Sequence, residues 1–70
     1  MSMEKFDKRF GMIAIKKGFI AFEQVYEALV TQVTEELEGA KHRFLGEILH
    51  EKGLMTPTQI DGVLASMGLL

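Results

Sequence analysis

The sequence has no cysteine, no tryptophan, one proline and one tyrosine. Without cysteine there is no disulfide and no thiolate metal site, which suits a reducing compartment. Strand signals are as scarce: no period-2 alternation persists, and no Asn-Gly or Asp-Gly pair marks a hairpin. No apolar run approaches the ~18 residues of a membrane span. The opening residues are charged and carry no apolar h-region, so no signal peptide is expected and a cytoplasmic location is. The net charge of −2 argues against generic nucleic-acid binding. Catalytic groups are also missing. Ser2 and Ser66 stand in no motif, no Walker-type phosphate loop occurs, and His42 and His50 complete no triad. A chain of 70 residues offers little room to exclude water from a reaction, so no enzyme is expected.

What the chain does contain is a repeat. Residues 9–32 and 44–67 align at an offset of 35, with Gly11/Gly46, Ile13/Ile48, Lys17/Lys52, Gly18/Gly53, Gln24/Gln59 and Leu29/Leu64 identical. Phe10/Leu45, Phe19/Leu54, Ile20/Met55 and Val25/Ile60 are conservative pairs. Each unit is one supersecondary element that cannot bury its apolar face alone, so the two should pack together. The expected fold is all-α: a single small four-helix domain over residues 1–70, built from two repeated helix-turn-helix hairpins.

Helical spacing places the elements. Phe6, Phe10, Ile13 and Ala14 predict a helix over 5–17. Phe22, Val25, Leu29 and Val33 predict one over 22–37 with that face inward. Phe44, Leu45, Ile48 and Leu49 predict a third over 42–52. Ile60, Val63, Leu64 and Met67 predict a fourth over 57–67. Gly18 and Gly53 each follow a lysine and can turn left-handed, ending their helices. Phe19-Ile20 and Leu54-Met55 then anchor the connections in the core. Thr56-Pro57-Thr58-Gln59 is a complete helix start, whereas Ala21 cannot cap with its side chain, a loss of ~1 kcal/mol. The middle is harder to place. Glu35, Glu36 and Glu38 oppose the dipole at the end of the second helix, and Lys41, His42 and Arg43 oppose it at the start of the third. Either the two clusters face each other across Gly39-Ala40, or the second helix runs on.

Charge is uneven. Residues 1–18 carry a balance of +3 and residues 19–40 a balance of −5. The basic segment could meet an anionic ligand, or the two segments could compensate each other. Glu47-x-x-His50 has the spacing of half a di-iron motif, but its repeat positions hold Met12 and Ile15, so a solvated face is expected rather than a metal. Met12, Met55 and Met67 are expected to fill the core, with Met1 and Met3 terminal. Gly11 and Gly46 each cost ~1 kcal/mol inside a helix. Something must approach the backbone there, either a crossing helix or a ligand.

Arg9-Phe10-Gly11, then seven residues to Gly18, then Val25-x-x-Ala28-Leu29-x-x-Gln32, resembles the N-terminal MshEN-type domain of type II secretion and type IV pilus assembly ATPases. That family carries the pattern R-L-G, a second glycine seven residues on, and L-x-x-A-L-x-x-Q twice. The resemblance covers most of the chain, here as a module without the ATPase. It implies a regulatory domain that docks onto a protein of a bacterial secretion, pilus or signalling system, or that binds cyclic di-GMP. By resemblance, Arg9 would contact guanine or phosphate, Gly11 would admit the ligand to the backbone, and Gln32 would hydrogen-bond to it. Phe10, Val25 and Leu29 would form an apolar floor. The second motif keeps Leu45, Gly46, Ile60 and Leu64 but has Phe44 for the arginine and Met67 for the glutamine. Losing two polar anchors of about 1–3 kcal/mol each would weaken a nucleotide by roughly tenfold to several thousandfold. Arg43 stands one step from the lost arginine. Protein docking is therefore the leading expectation. Cyclic di-GMP binding through the first motif, with a second chain completing the site, is the alternative. A homodimerising structural unit is the third.

Overall fold

The computed structural model describes the backbone of residues 2–70 and the side chains of residues 5–70. The side chains of Met1 and Met3 lie outside the described residues. Four helices follow one another: α1 (Ser2–Lys16), α2 (Phe22–Leu37), α3 (Leu45–Glu51) and α4 (Pro57–Ser66). No strand occurs among the described residues, and the domain is all-α. None of these helices is long and apolar enough to cross a membrane.

The helix ends follow from the local chemistry. Gly18 and Gly53 adopt φ of 77° and 75°, a left-handed backbone that residues with a Cβ rarely adopt. Each completes a paired turn. The amide of Gly18 donates to the carbonyl of Ile15 and that of Phe19 to Ala14, while those of Gly53 and Leu54 donate to His50 and Leu49. Ile20 and Met55 then enter the core at 6 % and 3 % exposure, as expected of the anchoring pairs. At the starts, a residue three positions on reaches back to a cap amide. Gln24 accepts from the Ala21 amide at 2.9 Å, Glu47 from Phe44 at 2.9 Å, and Gln59 from Thr56 at 3.0 Å. Only Thr56 among these caps also supplies the reciprocal bond, accepting from the Gln59 amide at 3.1 Å.

The third helix starts at Leu45, not at residue 42. The backbone of its cap Phe44 is extended, and Lys41, His42 and Arg43 precede the helix. They therefore do not oppose its dipole. The acidic and basic clusters face each other: Arg43 pairs with Glu35 at 2.6 Å and with Glu51 at 2.9 Å, and His42 pairs with Glu36 at 2.8 Å.

The core holds Phe10, Ala14, Ile20, Val25, Ala28, Leu45, Ile48, Leu49, Met55 and Val63. α3 lies at its centre, between α2 and α1, and α1 also packs on α4. A helix of seven residues is far below the length that persists alone. Burying Leu45, Ile48 and Leu49 completely, at ~1.5–3 kcal/mol each, offsets its nucleation cost. The two interior glycines explain the close approach of the helices. A Cβ on Gly46 would stand 3.1 Å from the Phe10 ring, and one on Gly11 would stand 2.9 Å from Val25 and 3.3 Å from Leu45. Phe10 and Leu45 occupy equivalent positions of the repeat, so each covers the other unit's glycine.

Two expectations about faces fail. α2 turns Val25, Ala28 and Gln32 inward, while Phe22 and Val33 are 66 % and 54 % exposed. Met12 is exposed on α1, so of the three interior methionines only Met55 and Met67 pack in or against the core.

Candidate functional site

Residues 2–8 extend α1 by about two turns beyond the repeat unit, and they build two features. The first is apolar. Phe6 lies one turn before Phe10 on the same face and meets Phe44 edge to face, ring centroids 5.4 Å apart. Together these three rings, with Gly46, Ile60 and Leu64, wall a cavity of about 470 Å³. That volume lies in the range of small-molecule or side-chain pockets, ~300–1,000 Å³. Pro57 forms part of its edge, with Glu47, His50 and Asp61 as its polar lining. No lysine or arginine lines it. Phe44 is held by an edge contact with the His42 ring at 5.7 Å and remains 40 % exposed.

The second feature is polar and closed. Asp7, 2 % exposed, accepts the Leu45 amide at 3.0 Å with one oxygen and Gln32 Nε2 at 2.7 Å with the other. Gln32 Nε2 also donates to the Arg43 carbonyl at 2.8 Å, so both its N–H groups are engaged. The His42 Nε2, buried and without a hydrogen bond, stands 3.7 Å from Asp7. This node ties α1, α2 and the start of α3 together. At its outer edge, the Arg43 guanidinium holds the Glu35 carboxyl below the usual carboxylate range. Hydrogen bonding is the main cause, partly opposed by desolvation. The same bond to Glu35, followed by the one to Glu51, raises the Arg43 pKa further.

These features divide the residues singled out by resemblance. Phe10, Gly46, Ile60 and Leu64 meet at the cavity. Gly11 and Val25 pack on each other, and Leu45 lies fully buried beside them. Leu29 packs against the core half-buried. Gln32 is committed to the polar node, and Arg9 is exposed on α1, outside the cavity lining. Phe44, the departure from the arginine of the family pattern, is a wall of the cavity. Sequence reasoning missed the part played by Phe6, although its spacing from Phe10 pointed to a shared face. It also missed Asp7, a lone carboxylate that no local pattern marks. Glu47 and His50 lie side by side at the cavity edge. Among the described residues no three acidic or histidine side chains cluster to hold a metal.

An apolar chamber with acidic edges can take an uncharged aromatic or aliphatic group. It offers a phosphate no lysine or arginine, and two amides at the start of α3 are already engaged: that of Leu45 by Asp7 and that of Phe44 by Glu47. Comparison with protein-family models, with curated proteins and with solved structures finds no match to this chain.

Proposed function

We propose that this chain is a non-enzymatic interaction module. It docks onto a protein component of a bacterial secretion, pilus or signalling system by receiving an apolar side chain of that partner in the cavity between α1, α3 and α4. The observation that carries this reading is the lining: three phenylalanines, Ile60 and Leu64, with Glu47, His50 and Asp61 as its polar part and no lysine or arginine. Such a site favours an apolar anchor flanked by lysine or arginine. The choice of a bacterial secretion or pilus system rests on the resemblance of the doubled motif alone.

Less supports the cyclic di-GMP reading. A dianionic ligand in this cavity would meet two carboxylates, and the Gln32 amide is already used. Arg9, exposed on α1, is the residue that keeps the alternative open.

The test pairs two measurements. Capture from a bacterial lysate that contains type II secretion and type IV pilus systems is compared for the wild type and Phe44→Arg. Phe44 is partly exposed, so this change should leave the fold intact while placing a cation in the cavity wall. The expected result is a partner retained by the wild type and lost by the variant. An NMR titration with cyclic di-GMP is run alongside. Shifts clustered at Arg9 and its neighbours, together with no partner in the lysate, would overturn the docking reading.

A further inference from the structure

α2 has two apolar stripes, and only one is buried. Val25, Ala28 and Gln32 face the core, with Leu29 half-buried beside them. On the other side Phe22, Tyr26, Val30, Val33 and Leu37 form a line the full length of the helix. They are 66 %, 60 %, 48 %, 54 % and 84 % exposed. Their spacing of four, four, three and four residues keeps them on one face of the helix, close to an 11-residue apolar period. Phe22 and Tyr26 are already stacked, ring centroids 6.5 Å apart. Part of this line exists because α2 has 16 residues and α4 only 10. Val33 and Leu37 lie in the portion without a counterpart.

We infer that this outer stripe of α2 pairs with the same stripe of a second copy of the chain, the two helices running antiparallel about a two-fold axis near Val30. Two observations select this occupant. The first is register. Reversed, the stripe reads almost the same. Phe22 meets the partner subunit's Leu37, Tyr26 meets the partner subunit's Val33, and Val30 meets its own mate. This self-complementarity is what an isologous interface requires. The second is area. The exposed fractions of the five residues amount to roughly 600 Å² per chain, so burying all of it would remove at most about 1,200 Å² in total, where specific interfaces begin. Charge fits the antiparallel arrangement. Glu27 falls opposite the partner subunit's Thr34, while Glu35 and Glu36 are matched within their own chain by Arg43 and His42. Glu23 approaches the partner subunit's Glu38 at each end, so salt should tighten the pair by screening that repulsion. The pairing leaves the cavity uncovered, and this inference does not depend on what the cavity receives.

Sedimentation equilibrium tests it. The wild type should show twice the monomer mass of 7.9 kDa at concentrations on the order of 100 µM, with a dissociation constant that falls as salt rises. Val30→Glu and Val30→Lys should each be monomeric and as helical as the wild type. Because residue 30 meets itself across the axis, mixing the two variants should restore the dimer as a heterodimer. A spin label at residue 22 should relax amides near residue 37 of the other chain in that dimer. A wild type that stays monomeric at millimolar concentration would overturn the inference. So would a dimer that survives Val30→Glu, or one in which the label at 22 relaxes residue 22 instead. A monomeric wild type that still captures a lysate partner would remove the dimer and leave the docking function standing.

Discussion

Asp7 is the residue whose loss should be felt most widely. It is an acid at 2 % exposure with the His42 ring 3.7 Å away, and its two oxygens hold the Leu45 amide and the Gln32 side chain. Asp7→Ala removes two hydrogen bonds to a charged acceptor. Gln32 keeps the Arg43 carbonyl, but the Leu45 amide is left buried at the first residue of α3, a position with no partner inside the helix. A stranded buried donor costs ~1–3 kcal/mol, and the lost charge-assisted bond to Gln32 adds about 1 kcal/mol or more. A total near ~3 kcal/mol must be set against the ~3–5 kcal/mol expected for a core of this size. With about 1 kcal/mol remaining, roughly 15 % of molecules would be unfolded at 25 °C. Asp7→Asn should cost less, ~1–2 kcal/mol. Its oxygen can still accept from Leu45, but its amino group then faces that of Gln32. Turning Gln32 over to relieve this would sacrifice the bond to Arg43. Urea denaturation followed by helical circular dichroism gives the stability, and hydrogen exchange gives the protection of the Leu45 amide. If Asp7→Ala lies within about 0.5 kcal/mol of the wild type, or the Leu45 amide stays as protected as before, the node does not anchor α3.

Five further outcomes are expected. Gly46→Ala should destabilise by about 1–2 kcal/mol despite its better helix propensity, because its Cβ would meet the buried Phe10 ring at 3.1 Å. Gly62→Ala, whose Cβ would sit 3.8 Å from Phe19, should stabilise by about 0.5–1 kcal/mol, and thermal melts showing the opposite order would contradict the helix crossing described. Ala21→Ser should add the missing half of the α2 cap and gain about 0.5–1 kcal/mol, whereas Thr56→Ala should lose a similar amount in the same urea titration. The Glu35 carboxyl should titrate below the ordinary glutamate value in a carbon-detected NMR titration and return towards it in Arg43→Gln. Since its folded pKa is lowered, its contribution is fully present above the unfolded value and lost as pH falls through the folded one.

Much of the fold could be read from local pattern because its helix ends are local. A glycine after lysine, a threonine before proline and a glutamine three residues on each need only their neighbours. The inward face of α2 could not be read in this way. Apolar residues occupy more than half of that helix's circumference, and periodicity alone does not say which stripe turns in. The core face also contains Gln32, which its bonds to Asp7 and to the Arg43 carbonyl, 25 and 11 positions away, make compatible with burial. The α3 start was half legible. Glu47 stands three residues after Phe44 and bonds to its amide, but the Leu45 amide is held by Asp7 from another helix. Of the cavity, Phe10, Gly46, Ile60 and Leu64 were marked by the repeat. Phe6 and Phe44 were not, because one lies outside the repeat and the other breaks it.

That placement of Asp7 separates the unit of duplication from the unit of folding. Residues 44–67 look like a self-contained hairpin, yet the first amide of their leading helix is held from residue 7, and the space over Gly46 is filled from residue 10. A fragment cut at the repeat boundary would keep every residue the two units share and still lack what makes α3 a helix. Its two halves, expressed apart, should be largely unstructured and should gain helicity only when mixed. That outcome would mean that each repeat unit orders on the other, and that the chain folds as one cooperative body rather than as two modules joined by a linker.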